Sequence, residues 1–246
     1  MIVLIAWLGF LASLAFYKPE RKSLRETSSI AFGERLRQIR GTLGLGSLLF
    51  LLAWLTLDAG RHYEISAFAA KAFGYSDMGF FSQHRFYQPL TSIFLHYNLI
   101  HLLGNLSTLM LFSAYERKVG TRRYLMVFLV SGLVSQVLEI GILQGLTGMQ
   151  NNISMGASGA ICGLLAGYFL DGEALNLKEW MLYLLTLMGL ILFTSFTTQM
   201  KNNAGVPLQI DWLAHLLGAL SAAGFVRLFP RRWPADARVS LETKVR

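Results

Sequence analysis

Seven long apolar runs separated by polar stretches set the pattern of this chain. Six of them fall at 41 to 58, 91 to 114, 124 to 147, 153 to 170, 178 to 197 and 209 to 229. A hydrocarbon core about 30 Å thick takes roughly 20 helical residues to cross, so each run has the length of one membrane span. The seventh, MIVLIAWLGFLASLAFY at 1 to 17, is at the short limit. A cleaved signal peptide carries positive charge ahead of its apolar stretch; here the charge follows it, which predicts a short N-terminal transmembrane helix instead. The expected fold is therefore an all-α membrane protein: a helix at 1–17, a basic linker at 18–40, a six-helix core at 41–229 and a basic tail at 230–246.

Composition agrees, with 54% hydrophobic residues, 15% charged and a mean hydropathy of +0.46. The 22 basic residues orient the spans, because cytoplasmic loops retain Lys and Arg. Seven lie in 18–40, four in 115–123, one at Lys178 and six from Arg227 onward, all on one side if the core alternates. The other side holds Arg61, Lys71, Arg85 and Lys201. The core is thus predicted to begin and end in the cytoplasm. This sorting, together with anionic lipid at the inner surface, accounts for the net charge of +8 without a nucleic-acid partner. A single cysteine, Cys162, excludes an internal disulfide framework. No Cys/His spacing suits zinc and no phosphate loop is present, so no metal and no cofactor is expected. The long connection at 59–90 mixes aromatics with few charges, and short helices lying in the membrane interface are expected there.

Polar residues inside spans are costly and are functional candidates by default. Ser158 falls about five residues into the fourth span of the core and His215 about six into the last, both roughly 8 Å below the outer edge at 1.5 Å per residue. His101 and Asn105 are four apart and share a helix face; His96, nine residues before Asn105, would lie on the opposite face of a continuous helix. Gly159, Gly163 and Gly167 form one small-residue stripe, and Ala214, Gly218 and Ala222 form another. Such faces let backbones approach closely in lipid. Packing alone would explain either stripe; matched depth beside both argues that Ser158 and His215 meet. A serine hydroxyl needs a base to become a nucleophile, and neutral imidazole is the usual one near pH 7. Acidic third members are scarce: Glu139 is placed deep in its span, and Asp211 reads as a helix cap. A Ser/His dyad is therefore favoured. The soluble-hydrolase elbow G-x-S-x-G does not apply, because it would need glycine at Ala160.

GASGA at 156–160, HYNLIHLLGN at 96–105 and AHLLG at 214–218, in order and on alternate helices, resemble the rhomboid family of intramembrane serine proteases. The resemblance covers about 50 to 229, with YERKVG at 115–120 also similar, and implies a rhomboid-like six-helix bundle with an extra leading helix, a 1+6 arrangement. It implies Ser158 as nucleophile, His215 as base, His101, Asn105 and Gly156 around the oxyanion, and His96 as a brace. It further implies that water enters from the outer side and that substrates are transmembrane helices cut near the outer surface. The chain departs from the family pattern in three places. Tyr87 and Gln88 stand where it has Trp-Arg, Cys162 where some members carry tyrosine, and Met155 where several have glycine.

A bacterial inner membrane is the expected location. Two readings from other classes stand beside the protease: an inactive rhomboid-like protein that binds membrane clients, and a small-molecule transporter. A transporter would more often show broken helices or inverted repeats, and an inactive relative would lack the serine or the histidine.

Overall fold

Where water is excluded, a chain must satisfy its own backbone, and helices do so within one segment. In a computed structural model, residues 32–58, 60, 63–147, 153–171, part of 177–189 and 212–230 are described. They form α1 (Phe32–Gln38), α2 (Arg40–Thr56), a hairpin of β1 (Leu57–Asp58) and β2 (Glu64–Ile65), α3 (Ala67–Phe73), one π-helical turn (Met78–Ser82), α4 (Gln88–Ser92), α5 (Leu99–Leu111), α6 (Ser113–Val119), α7 (Thr121–Thr147), α8 (Ser158–Leu170) and α9 (Trp212–Leu228). The predicted helix at 1–17, most of the span at 178–197, Asp211 and the tail from 231 lie outside the described residues.

α2, α7 and α9 follow three predicted runs closely. Among the described residues, α7 contains the one stretch long and apolar enough to cross a bilayer unaided, Thr121–Ile142; α2, α8 and α9 are shorter apolar helices. Two predicted spans are not single helices. The run at 91–114 is divided: α4 ends at Ser92, and α5 begins anew at Leu99, where the Asn98 side chain caps it by accepting from the His101 N–H at 2.9 Å. The run at 153–170 is helical from Ser158 onward, and residues 153–157 precede the helix.

α8 is the centre of the bundle. Every residue from Ser158 to Gly167 is buried, as expected of a helix apolar all round. α7 and α9 both pack against it and against each other, and among the described residues the α8–α9 contact is the most extensive. A Cβ on Gly218 would strike the Gly159 carbonyl, so the α8 and α9 backbones touch at this point. The same stripe also meets α7: a Cβ on Gly159 would lie 2.5 Å from Ser135 Oγ, and one on Gly163 would strike Ser131. The glycine stripe of α8 thus serves two neighbours, not one. Ser131 and Ser135, four apart on α7, were the unread half of that match.

The two ends of the bundle differ in charge. At one end gather Arg40, Arg117, Lys118, Arg122, Arg123 and Arg227. Here Glu116 accepts from the N–H groups of Gly41 and Thr42 at 2.7 and 2.8 Å and from the hydroxyls of Thr42 and Thr121 at 2.9 and 2.7 Å. The carboxylate caps the start of α2, whose own N-cap, Ile39, has no side-chain acceptor. Nearby, buried Asp171 at the end of α8 accepts from Arg123 Nη2 at 2.9 Å and from the Tyr115 hydroxyl at 2.7 Å. The Arg123 guanidinium also lies over the Phe225 ring of α9.

The other end carries the long connection. β2 pairs with β1 and also bridges Glu64 to Asn98, with the Ile65 N–H donating to the Tyr97 carbonyl at 2.8 Å. The last carbonyls of α3, which have no intrahelical partners, are met by side chains. Arg85 and Gln88 donate to Lys71 O, Tyr87 and Gln88 to Ala72 O, and Thr91 to Phe73 O. Gln88 is fully buried. Where the family pattern has Trp-Arg, this chain therefore anchors the loop with Gln88 and Tyr87, joined by Arg85 and Thr91.

Candidate active site

The sequence at 153–160, ISMGASGA, holds no residue that caps a helix well except serine, and the position that must cap it is Ala157. Among the described residues no side chain accepts from the first N–H groups of α8, and the first to bond back is Ile161 N, 2.9 Å from the Ala157 carbonyl. Ser158 is the first helical residue, 6% exposed. It lies at the helix start because the preceding segment is held by the long connection at Tyr75 and by α7 at Glu139. An uncapped helix start gathers partial positive charge and attracts a developing anion.

Gly156 brings the groups together. Its φ of +138° is one that L side chains rarely adopt. A Cβ there would lie 2.8 Å from His101 Cε1, 3.1 Å from His101 Nε2 and 3.7 Å from Ser158 Oγ. The imidazole of His101 and the serine hydroxyl therefore flank one small space that only glycine leaves open. His101 follows the Asn98 cap by three residues and stacks on Tyr97, with ring centroids 6.1 Å apart and planes at 19°. Asn105, one turn along α5, is 3% exposed, and its Nδ2 is a buried donor with no partner among the described residues. Buried amides are ordinarily satisfied, so this donor suits a ligand atom.

His96 is fully buried in the turn between α4 and α5. Because that turn interrupts the helix, the half-turn separation expected from residue spacing does not hold: the ring packs edge-on against His101, centroids 5.1 Å apart at 68°. His215 is on α9, 2% exposed, beside Ala214, whose carbonyl would lie 3.2 Å from a Cβ on Gly159. Gly156, Ser158 and His101 thus meet at the start of α8, with His96 against His101; Asn105 lies one turn along α5 from His101, and His215 is on α9, the helix packed against α8. Asn98 and Tyr97 were missed, although an Asn three residues before His101 is a recognisable cap spacing. Among the described residues no group of three or more His, Cys, Asp or Glu is placed to hold a metal ion.

Comparisons with known proteins bear on the same region. A family model described as the Rhomboid domain matches residues 83–232. RHOMBOID-like protein 6, mitochondrial, of Arabidopsis thaliana is 30% identical over 56% of this chain and 43% of its own length. RHOMBOID-like protein 2 of the same plant is 30% identical over 66% of this chain and 49% of its own length. The putative rhomboid protease YdcA of Bacillus subtilis is 32% identical over 57% of this chain and 64% of its own length. The matched part of the chain spans about half the length of the first two relatives. No solved structure matches.

Proposed function

The chain belongs to the rhomboid family, and from that premise we propose that this integral membrane protein is an intramembrane serine endopeptidase that cuts transmembrane helices of substrate proteins near the outer membrane surface. Ser158 is the nucleophile and His215 the base. The observation that carries this reading is the convergence at Gly156: the His101 imidazole and the Ser158 hydroxyl flank one space, at an uncapped helix start that touches α9 beside His215.

The chemistry follows from those positions. The His215 imidazole takes the hydroxyl proton as Ser158 Oγ bonds to the scissile carbonyl carbon. The resulting oxyanion is met by the N–H groups at the start of α8 and by Asn105 and His101, donors aimed at charge that appears only in the transition state. The tetrahedral adduct collapses, the amide C–N bond breaks, and the proton held on His215 goes to the leaving amine. Water, activated by the same imidazole, then hydrolyses the acyl-enzyme. His96 braces His101, its ring packed edge-on against it.

The setting completes the proposal. A helix at 1–17 precedes a six-span core at 41–229, with the linker at 18–40 and the tail at 230–246 in the cytoplasm of a bacterial inner membrane. The loop between β1 and α5 rests in the outer leaflet, which accounts for the exposure of Phe68 (77%), Phe81 (57%) and Phe86 (64%). Membrane lipid and transmembrane substrates are the partners, and no nucleic acid, metal or cofactor takes part.

The test compares purified wild type with Ser158→Ala and His215→Ala on a generic transmembrane reporter, alongside labelling by a fluorophosphonate. Both variants should lose cleavage while remaining folded, and the label should attach at Ser158. A client-binding protein or a transporter would leave the fluorophosphonate unreacted.

A further inference from the structure

Ser154, four residues before Ser158, is held on three sides. Its N–H donates to the Tyr75 carbonyl at 2.8 Å and its carbonyl accepts from the Tyr75 N–H at 3.0 Å, an antiparallel bridge between the outer loop and the approach to α8. Its hydroxyl donates to Glu139 Oε2 on α7 at 2.8 Å. Around this point the Tyr97 hydroxyl donates to the Ile153 carbonyl, and the Gly156 N–H donates to Ser92 O at 2.9 Å. A Cβ on Gly74 would strike Ile153, so the loop lies tight against the segment. Residues 153–156 are thus fastened to α7, to the outer loop and to the turn that carries His96.

Among these fastenings, the Glu139 bond is the one made by a carboxylate, which is 2% exposed. A carboxylate inside a bundle is costly, and α7 meets α8 elsewhere through Ser131, Gly132 and Ser135 without one. A hydroxyl bonded to a carboxylate is held more firmly than one bonded to a neutral acceptor. Glu139 stands level with the segment before α8, which α7 passes on its way to Thr147. The Tyr75 phenol shares these surroundings. Burial, with the Asp77 and Glu139 carboxylates adding to it, raises its pKa above the ordinary value, so the phenol stays neutral beside them.

We propose that Glu139 is a positioning residue for proteolysis: through the Ser154 hydroxyl it holds residues 153–157 in place and so sets where Gly156 and Ser158 stand relative to His101. This rests on the reading of Ser158 as nucleophile. The geometry argues for a role distinct from that of a third catalytic acid, since the carboxylate reaches the serine through the backbone leading to it.

The experiment uses the full chain and measures kcat and KM on a transmembrane reporter, the rate of fluorophosphonate labelling, and thermal stability. Glu139→Ala and Ser154→Ala should each lower kcat and the labelling rate about 10- to 100-fold with KM little changed, because a reacting group displaced by about 1 Å can cost 10²-fold. Glu139→Gln retains an acceptor oxygen and should recover most of the loss. The double variant should be no slower than the slower single one, since both remove the same bond. Folded Glu139→Ala protein that labels at the wild-type rate would overturn the proposal, as would losses that multiply in the double variant. If Glu139→Ala fails to fold, Ser154→Ala, which deletes one hydroxyl, decides: folded Ser154→Ala protein that labels at the wild-type rate overturns the proposal. Wild type that does not label at Ser158 would remove the nucleophile and this proposal together; wild type that labels, with variants that match it, removes this proposal alone.

Discussion

Gly156→Ala tests the site at its narrowest point. The substitution acts in two ways whose sizes can be separated. A φ of +138° is strained for alanine, which costs of order 1–3 kcal/mol. The new methyl would also stand 2.8 Å from His101 Cε1, and ordinary contact at about 3.5–4.0 Å requires the ring or the segment to retreat by roughly 1 Å. A displacement of that size at a reacting centre is worth up to about 10²-fold in rate. Gly120 supplies the control. Its φ is +84° and nothing lies within 4 Å of the position a Cβ would occupy, at the turn between α6 and α7. Gly120→Ala should therefore lose stability by a comparable 1–3 kcal/mol from strain alone, yet label and cleave as wild type does once folded. Gly156→Ala should lose the same stability or more and, in addition, about 10- to 100-fold in kcat and in fluorophosphonate labelling, with KM little changed. Thermal unfolding in detergent and the two rate assays, run on both variants, give the comparison. Equal activity in the two variants would refute the claim that His101 and Ser158 share the space over Gly156.

Other expectations can be checked alongside. Gly218→Ala drives a methyl into the Gly159 carbonyl and should cost about 3 kcal/mol, the upper end of overpacking, with loss of cleavage; Gly224→Ala, with open space around it, should be harmless in the same melting assay. Asp171→Ala breaks the pair with Arg123, and because Arg123 is 18% exposed the loss should be about 2–3 kcal/mol, below the range for fully buried pairs, with labelling of folded protein unchanged. Gln88→Ala removes two bonds to the end of α3 and should destabilise by about 2 kcal/mol, against less than about 1 kcal/mol for Arg85→Ala, whose one bond to Lys71 O is solvent-exposed; chemical melting of each reads the difference. Cys162 is fully buried, so maleimide should react with it only on unfolding, and Cys162→Ser should keep activity.

Hydrophobic run length was sufficient to read the helices α2, α7 and α9 from the sequence, because an apolar segment of that length satisfies its own backbone most readily as a helix. The pairing of α8 with α9 was also legible, since close approach in lipid demands small residues at four-residue spacing on both partners. Ser158, His215, His101 and Asn105 stood out for the same kind of reason: a polar group in a span must have a use or a partner. Tertiary structure decided what depends on contacts between distant segments. The run at 91–114 looks continuous, yet Asn98 restarts the helix once β2 pairs with Tyr97 and Glu64 bridges to Asn98, and only then does His96 turn onto His101. The run at 153–170 is apolar throughout, but its first residues give up helix for bonds to Tyr75, Glu139 and Ser92, which places Ser158 at a helix start instead of inside one. Residue spacing measures position along a helix; it carries no information about where a partner on another segment makes leaving the helix more favourable than continuing it.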